Sequence, residues 1–166
     1  MSVSALLIPE LDQEVKVTRT LLERVPMKPD YAPHPKSMPL GRLGPHIAEM
    51  PSFGLTVLTT PELDFSKSTY APLPFESPAQ LLKVLDEGAA KLRSTLSALP
   101  DSAWTEKWRL AFGDKTIFEG ERFLAYREMF LNHLVHHRAQ LGVYLRLNDV
   151  PLPSTYGPTA DDRMGF

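Results

Sequence analysis

Three of the chain's five histidines fall within five positions of the stretch NHLVHHRAQLGVYLR, residues 132–146, as His133, His136 and His137. Imidazole nitrogen suits divalent transition metals, and two imidazoles at i, i+4 on a helix lie one turn apart on the same face, where both can reach one ion. On a wheel of about 100° per residue, Phe123, Phe130, Leu134 and Leu141 fall within about 20° of one direction and mark the inward face. His137 lies about 40° from that centre and His133 about 80°, whereas His136, about 140° away, points toward solvent. Spacing alone leaves two readings open: a pair of metal ligands, or polar side chains that flank a core and hydrogen-bond a neighbouring helix.

A third ligand has to come from another segment. His34, in YAPHPKS, stands between prolines and reads as an exposed loop residue. His46, in LGRLGPHIAEM, falls near the apolar side of its own helical segment. With His133 and His137 it would make a three-imidazole site with positions left for water or substrate, the pattern of an open centre rather than a closed structural one. Glu49, at i+3 from His46, is a candidate acceptor behind a ligand, a base, or a solvated carboxylate. Arg138, about 60° off the inward stripe, is a candidate for the anionic group of a cofactor or for a salt bridge. Tyr126 and Tyr144 share the histidines' flank and read as pocket lining or as core aromatics.

The elements that must position these side chains are punctuated by 16 prolines, clustered in residues 25–41, 70–80 and 150–158. Proline fixes its own φ and disfavours helix in the residue before it, so these clusters read as connectors. The first helix is expected from Ser4 to Val25, on a stripe of Ile8, Leu11, Val15, Leu22 and Val25, and to stop at Pro26. The second covers about Met38 to Leu58 and contains Pro45 and Pro51, each expected to favour a kink. Pro45 stands directly before His46 and is expected to disturb its aim. The third starts at Ser77, with Pro78 in the first turn and a Ser-x-x-Gln capping box through Gln80, and carries Leu81, Leu85, Ala89, Leu92, Leu96 and Leu99 up to Pro100. In WRLAFGDKTIF, the alternation of Trp108, Leu110 and Phe112 before Gly113-Asp114 predicts a hairpin. The last helix is expected from Glu121 to Leu147. The sum is an all-α, four-helix bundle with a short β-hairpin before the last helix, as one domain over residues 1–166.

Composition narrows the function classes. A formal charge of −2 and a pI near 6.2, with no basic stripe or aromatic platform, argue against nucleic acid and an anionic membrane as partners. The absence of cysteine removes disulfides, a thiolate nucleophile and sulfur metal ligands. The N-terminal run has no basic n-region and no segment approaches spanning length, so a cytoplasmic location is expected.

The motifs PHPKSMPLGRLGPHIAEMP, FGDKTIFEG, NHLVHHRAQLGVYLRL and VPLPSTYGPTADD, in this order over nearly the whole chain, resemble the DinB/YfiT-like proteins. The resemblance implies a four-helix bundle with a divalent ion, nickel or zinc, on His46, His133 and His137, and with His136 not a ligand. It implies a family that includes metal-dependent transferases using low-molecular-weight thiols such as bacillithiol or mycothiol, a mycothiol-dependent maleylpyruvate isomerase, and stress-inducible members without assigned activity. Homodimers are common among them. The expectation is therefore a metal-dependent thiol transferase acting on small electrophiles. A hydrolase, a non-enzymatic metal-binding protein and a plain bundle with histidines as core filler stand as alternatives. The tail YGPTADDRMGF is expected either to close over the site with Asp161 or Asp162 near the ion, or to fray.

Overall fold

The structure is a computed structural model that describes residues 2–164. It is mostly helical, with a small three-stranded sheet. Helix α1 (Val3–Leu22) and α2 (Leu40–Thr59) are followed by strand β1 (Glu62–Asp64) and α3 (Pro78–Ala98). A 3₁₀ turn (Asp101–Thr105) then leads to β2 (Lys107–Phe112) and β3 (Lys115–Glu121). The last helix, α4 (residues 122–147), has three parts: a first turn Arg122–Leu124, a π-helical stretch Ala125–Asn132, and an α-helix His133–Leu147. The helices share one apolar core, which includes Leu11, Leu22, Leu43, Ile47, Leu81, Leu85, Phe130 and Leu134.

Helix α1 ends at Leu22, earlier than the proline at 26 suggests. The amides of Arg24 and Val25 bond to the carbonyls three residues back, tightening the last turn before Pro26. Its inward face is also rotated from the expected stripe. Leu7, Leu11, Glu14, Thr18 and Leu21 are buried, while Ile8 and Val15 are only half-buried. A glutamate and a threonine occupy this face because they meet Arg138 of α4. Helix α2 continues unbroken through Pro45 and Pro51, both buried. The kink expected at Pro45 does not interrupt it. In α3, Ser77 Oγ accepts the Gln80 amide at 3.2 Å, but the Gln80 side chain caps the Glu76 amide (2.9 Å) rather than that of Ser77. Gly88, not Ala89, takes the inward position, because a Cβ there would stand 3.3 Å from Pro51 of α2.

The hairpin is part of a larger sheet than the sequence suggests. β2 pairs antiparallel with β3, and the three-residue β1, read as linker, pairs parallel with β2. The register shifts between Leu110 and Ala111, and Ile117 is the extra residue on β3. This bulge breaks the alternation: Trp108, Leu110 and Ala111 are buried, whereas Phe112 is 61% and Ile117 52% exposed. Gly113, at φ 57°, opens the two-residue loop, and its amide donates to Asp64 at the end of β1 (2.9 Å). Arg122 fastens the sheet to the helices. Its guanidinium donates to the carbonyls of Val57 (2.5 Å), Thr60 (2.9 Å) and Ala103 (3.2 Å) and to Glu106 (2.8 Å).

Along the seam between α2 and α4, Gly54 lies against Phe130 and His46 against His133 and His137, while Tyr144 donates to the Met38 carbonyl at 2.9 Å. Rising numbers on α2 meet falling numbers on α4, so the two helices run antiparallel. No helix among the described residues is long and apolar enough to cross a membrane.

The seam predicts opposite outcomes for one substitution at two glycines. A Cβ at Gly54 would stand 2.9 Å from the fully buried Phe130 ring and 3.1 Å from Leu92, whereas one at Gly142 meets only Leu21, at 3.8 Å. Gly142→Ala is expected to gain up to about 1 kcal/mol from helix propensity. Gly54→Ala is expected to lose about 1–2 kcal/mol net, because overpacking outweighs the same gain. Urea denaturation of both variants measures the signs.

Candidate metal centre

His46 comes from the second turn of α2, and His133 and His137 from the first and second turns of the α-helical part of α4. Their ligand nitrogens lie within 4.8 Å of one another. The ring of His46 stands edge-on to both partners, with centroids 5.3 Å from His133 and 4.6 Å from His137. The three rings are half-buried, and His136 is exposed.

Each ring on α4 is held by a hydrogen bond on its far side. His133 Nδ1 lies 3.3 Å from the carbonyl oxygen of Met129, and His137 Nδ1 lies 2.7 Å from Oε1 of Gln140. Both partners are oxygen acceptors, and the tautomer that satisfies them carries the proton on Nδ1 and presents a lone pair at Nε2. Those two Nε2 atoms face each other at 2.7 Å. In that tautomer two lone pairs meet, and a cation between them would relieve the repulsion. Imidazoles on a tetrahedral ion with bonds of 2.0–2.1 Å have nitrogens about 3.3 Å apart, a span between the 2.7 Å of this pair and the 4.8 Å that bounds all three ligand atoms. The three histidines could hold a metal ion.

The protonation states agree. Burial lowers the pKa of all three imidazoles; in His46 it is lowered to about 4, first by burial and then by the neighbouring His137, His133 and Arg42. At neutral pH the rings are uncharged, the form that binds metal.

The other candidate residues are placed differently. Glu49 accepts a hydrogen bond from the Tyr70 hydroxyl at 2.8 Å instead of reaching an imidazole. Tyr126 is fully buried, packed edge-on against Trp104 and Phe130, and belongs to the core. Tyr144 anchors the start of α2 through Met38 and packs on Tyr31 (centroids 6.0 Å). Arg138 turns away from the histidines toward α1. It pairs with Glu14 at 2.6 Å, donates to Thr18 (3.3 Å) and to the Tyr156 hydroxyl (2.5 Å), and is only 3% exposed. Tyr156 closes the triangle by donating to Glu14.

Nor does the tail reach the histidines. Asp161 accepts from Arg146 (2.5 Å) and the Leu152 amide (2.8 Å), and Asp162 from the Ser154 amide (2.9 Å) and hydroxyl (2.8 Å). Gly165 and Phe166 lie outside the described residues. A groove of about 540 Å³ between tail and α4 is lined by Val135, Ala139, Val143 and Leu152, on the side of α4 away from His133 and His137.

Sequence reasoning passed over two residues: Arg42, one turn before His46 and close enough to act on it, and Tyr70 of the α2–α3 connector, which reaches Glu49. Arg42 was legible as the i−4 neighbour of a ligand candidate. Tyr70 had no local signal.

A helical chain with a sheet before its last helix and three histidines joining two antiparallel helices defines a class. The chain belongs to the DinB superfamily, whose family model matches residues 10–141. It is similar in fold to a DinB-like protein from Bacillus subtilis (YjoA), with 19% identity and a TM-score of 0.64 over 95% of this chain and 98% of that one. No curated protein sequence matches it.

Removing Arg138 leaves the Glu14 carboxylate buried without a counter-charge. Arg138→Met is therefore expected to cost about 3–5 kcal/mol in urea denaturation while leaving metal uptake unchanged. The histidines predict the acid response of the metal-free protein. Their folded pKa values lie below the unfolded value of about 6.5, so folding expels protons that the unfolded chain binds below that pH. The stability this contributes is complete above pH ~6.5 and is lost as pH falls from there toward about 4. Thermal melts between pH 7.5 and 4.5 should show a falling Tm, with a shallower fall in His46→Gln.

Proposed function

We propose that this protein binds one divalent transition-metal ion, nickel or zinc, through Nε2 of His46, His133 and His137. In this reading it uses the ion in a transferase reaction that joins a low-molecular-weight thiol to a small electrophile. The observation that carries the metal reading is the 2.7 Å approach of two Nε2 atoms on rings whose Nδ1 atoms face the oxygens of Met129 and Gln140. Superfamily membership supports it.

The chain's own residues would divide the work as follows. Met129 and Gln140 fix the tautomer and aim of two rings, as outer partners do in metal sites generally. Burial keeps all three rings neutral at physiological pH. The bound ion would supply Lewis acidity, which lowers the pKa of a coordinated thiol or water. With no cysteine in the chain, the sulfur has to be brought by a small molecule. Three protein ligands leave coordination positions for it.

Elemental analysis of tag-free protein, wild type beside His137→Ala, tests the centre. About one ion per chain is expected in the wild type. Loss of a direct ligand should weaken binding by more than the roughly 10–100-fold cost of losing an outer partner. No ion in either protein after incubation with nickel and zinc would make the histidines structural and refute the proposal. Once the ion is established, conjugation of small thiols to a model electrophile, with and without chelator, tests the transferase reading.

A further inference from the structure

Arg42, His46 and Glu49 stand at i, i+4 and i+7 on α2, so one face of the helix carries a guanidinium, a candidate ligand and a carboxylate in a row. The Tyr70 hydroxyl donates to Glu49 at 2.8 Å, and Arg42 is near enough to act on the phenol. Arg42 Nη1 is shielded from solvent yet has no hydrogen-bond partner. The two buried arginines differ. Arg122 satisfies four acceptors, and Arg138 is enclosed by Glu14, Thr18 and Tyr156. Among the described residues Arg42 has no carboxylate partner, although Glu49 is two turns away, because Glu49 is engaged by Tyr70.

We propose that Arg42 is the receptor for a carboxylate on the small molecule taken at the three-histidine centre, with Tyr70 flanking the bound group. A buried guanidinium N–H without an acceptor is costly, and a carboxylate matches its planar fork. Charge points the same way. Three neutral imidazoles, a divalent ion, Arg42 and Glu49 together are net positive, so an anionic ligand is favoured over a neutral one. The inference rests on the metal reading above and specifies the ligand class for the same centre.

The test uses cobalt-loaded protein, whose visible spectrum reports thiol coordination, titrated with mercaptoacetate and with its methyl ester. The wild type should bind the acid roughly 10–100-fold more tightly than the ester, the range of one charge-assisted hydrogen bond. Some preference arises from the ion itself, so Arg42→Gln decides. The preference is expected to fall at least fivefold in that variant and to return in part in Arg42→Lys, with melting temperature and cobalt content measured for each. An unchanged preference in Arg42→Gln overturns the proposal; if that variant does not fold, an equal affinity of the wild type for acid and ester does so. Should the wild type take up no cobalt, the metal reading fails separately. The carboxylate site is then read in the metal-free protein from the NMR shift of the Arg42 side-chain N–H on adding acetate against acetamide. A shift with acetate alone supports the site, and no shift refutes it.

Discussion

The separation of α2 from α4 is the constraint on which the rest depends. Gly54 lets the Phe130 ring lie where any Cβ would intrude at 2.9 Å, and this contact holds the two backbones close. Farther along the seam, Tyr144 bonds the Met38 carbonyl and packs on Tyr31. The histidines lie between these fixed points. Metal ligation tolerates errors of only a few tenths of an ångström, so a site spanning two helices requires both to be located by contacts outside the site itself. The core provides them: Ile47, beside His46, and Leu134, beside His133, are both fully buried.

The π-helical stretch of α4 ends at Asn132, directly before the first ligand candidate. Such stretches are rare and tend to occur at functional sites, because an added residue per turn shifts everything that follows around the axis. Within it, Ala125, Tyr126 and Phe130 are buried; after it, Leu134, Arg138 and Leu141 are. Met129, within the stretch, supplies the carbonyl that orients His133. The irregular segment therefore both sets the face on which the histidines emerge and holds one of them.

Much of this was legible. The pairing of His133 with His137 follows from helical spacing, and His136 was excluded by the same geometry. The rest was hidden for physical reasons that differ from residue to residue. A uniform wheel put Phe123 at the centre of the buried face, but the π stretch leaves it half-buried and moves Tyr126 into the core. Glu14 and Thr18 look like solvent residues because hydropathy cannot see that Arg138, 120 or more residues away, will meet them. Strand β1 is three residues long and exists only because β2 lies beside it. The bulge opposite Leu110 and Ala111 reverses a pattern that looked like plain alternation. Tyr70 reaches Glu49 from a proline-rich connector whose path no periodicity describes.

The two polar clusters on α4 differ in one respect that bears on function. Toward α1, Arg138, Glu14, Thr18 and Tyr156 form a closed set in which positive and negative charges meet inside the protein. In that arrangement the charges are paired within the protein. Toward α2, two imidazole Nε2 atoms face each other at 2.7 Å and a shielded guanidinium nitrogen lacks an acceptor. Buried polar groups are nearly always satisfied, and those that are not require a reason. Here the groups are of opposite kinds and on facing helices: ring nitrogens suited to a cation, and an N–H suited to an anion. A metal ion alone would satisfy only the first and would add positive charge beside the second. An ion together with a carboxylate-bearing ligand satisfies both, and for that reason the two needs are better understood as halves of one site.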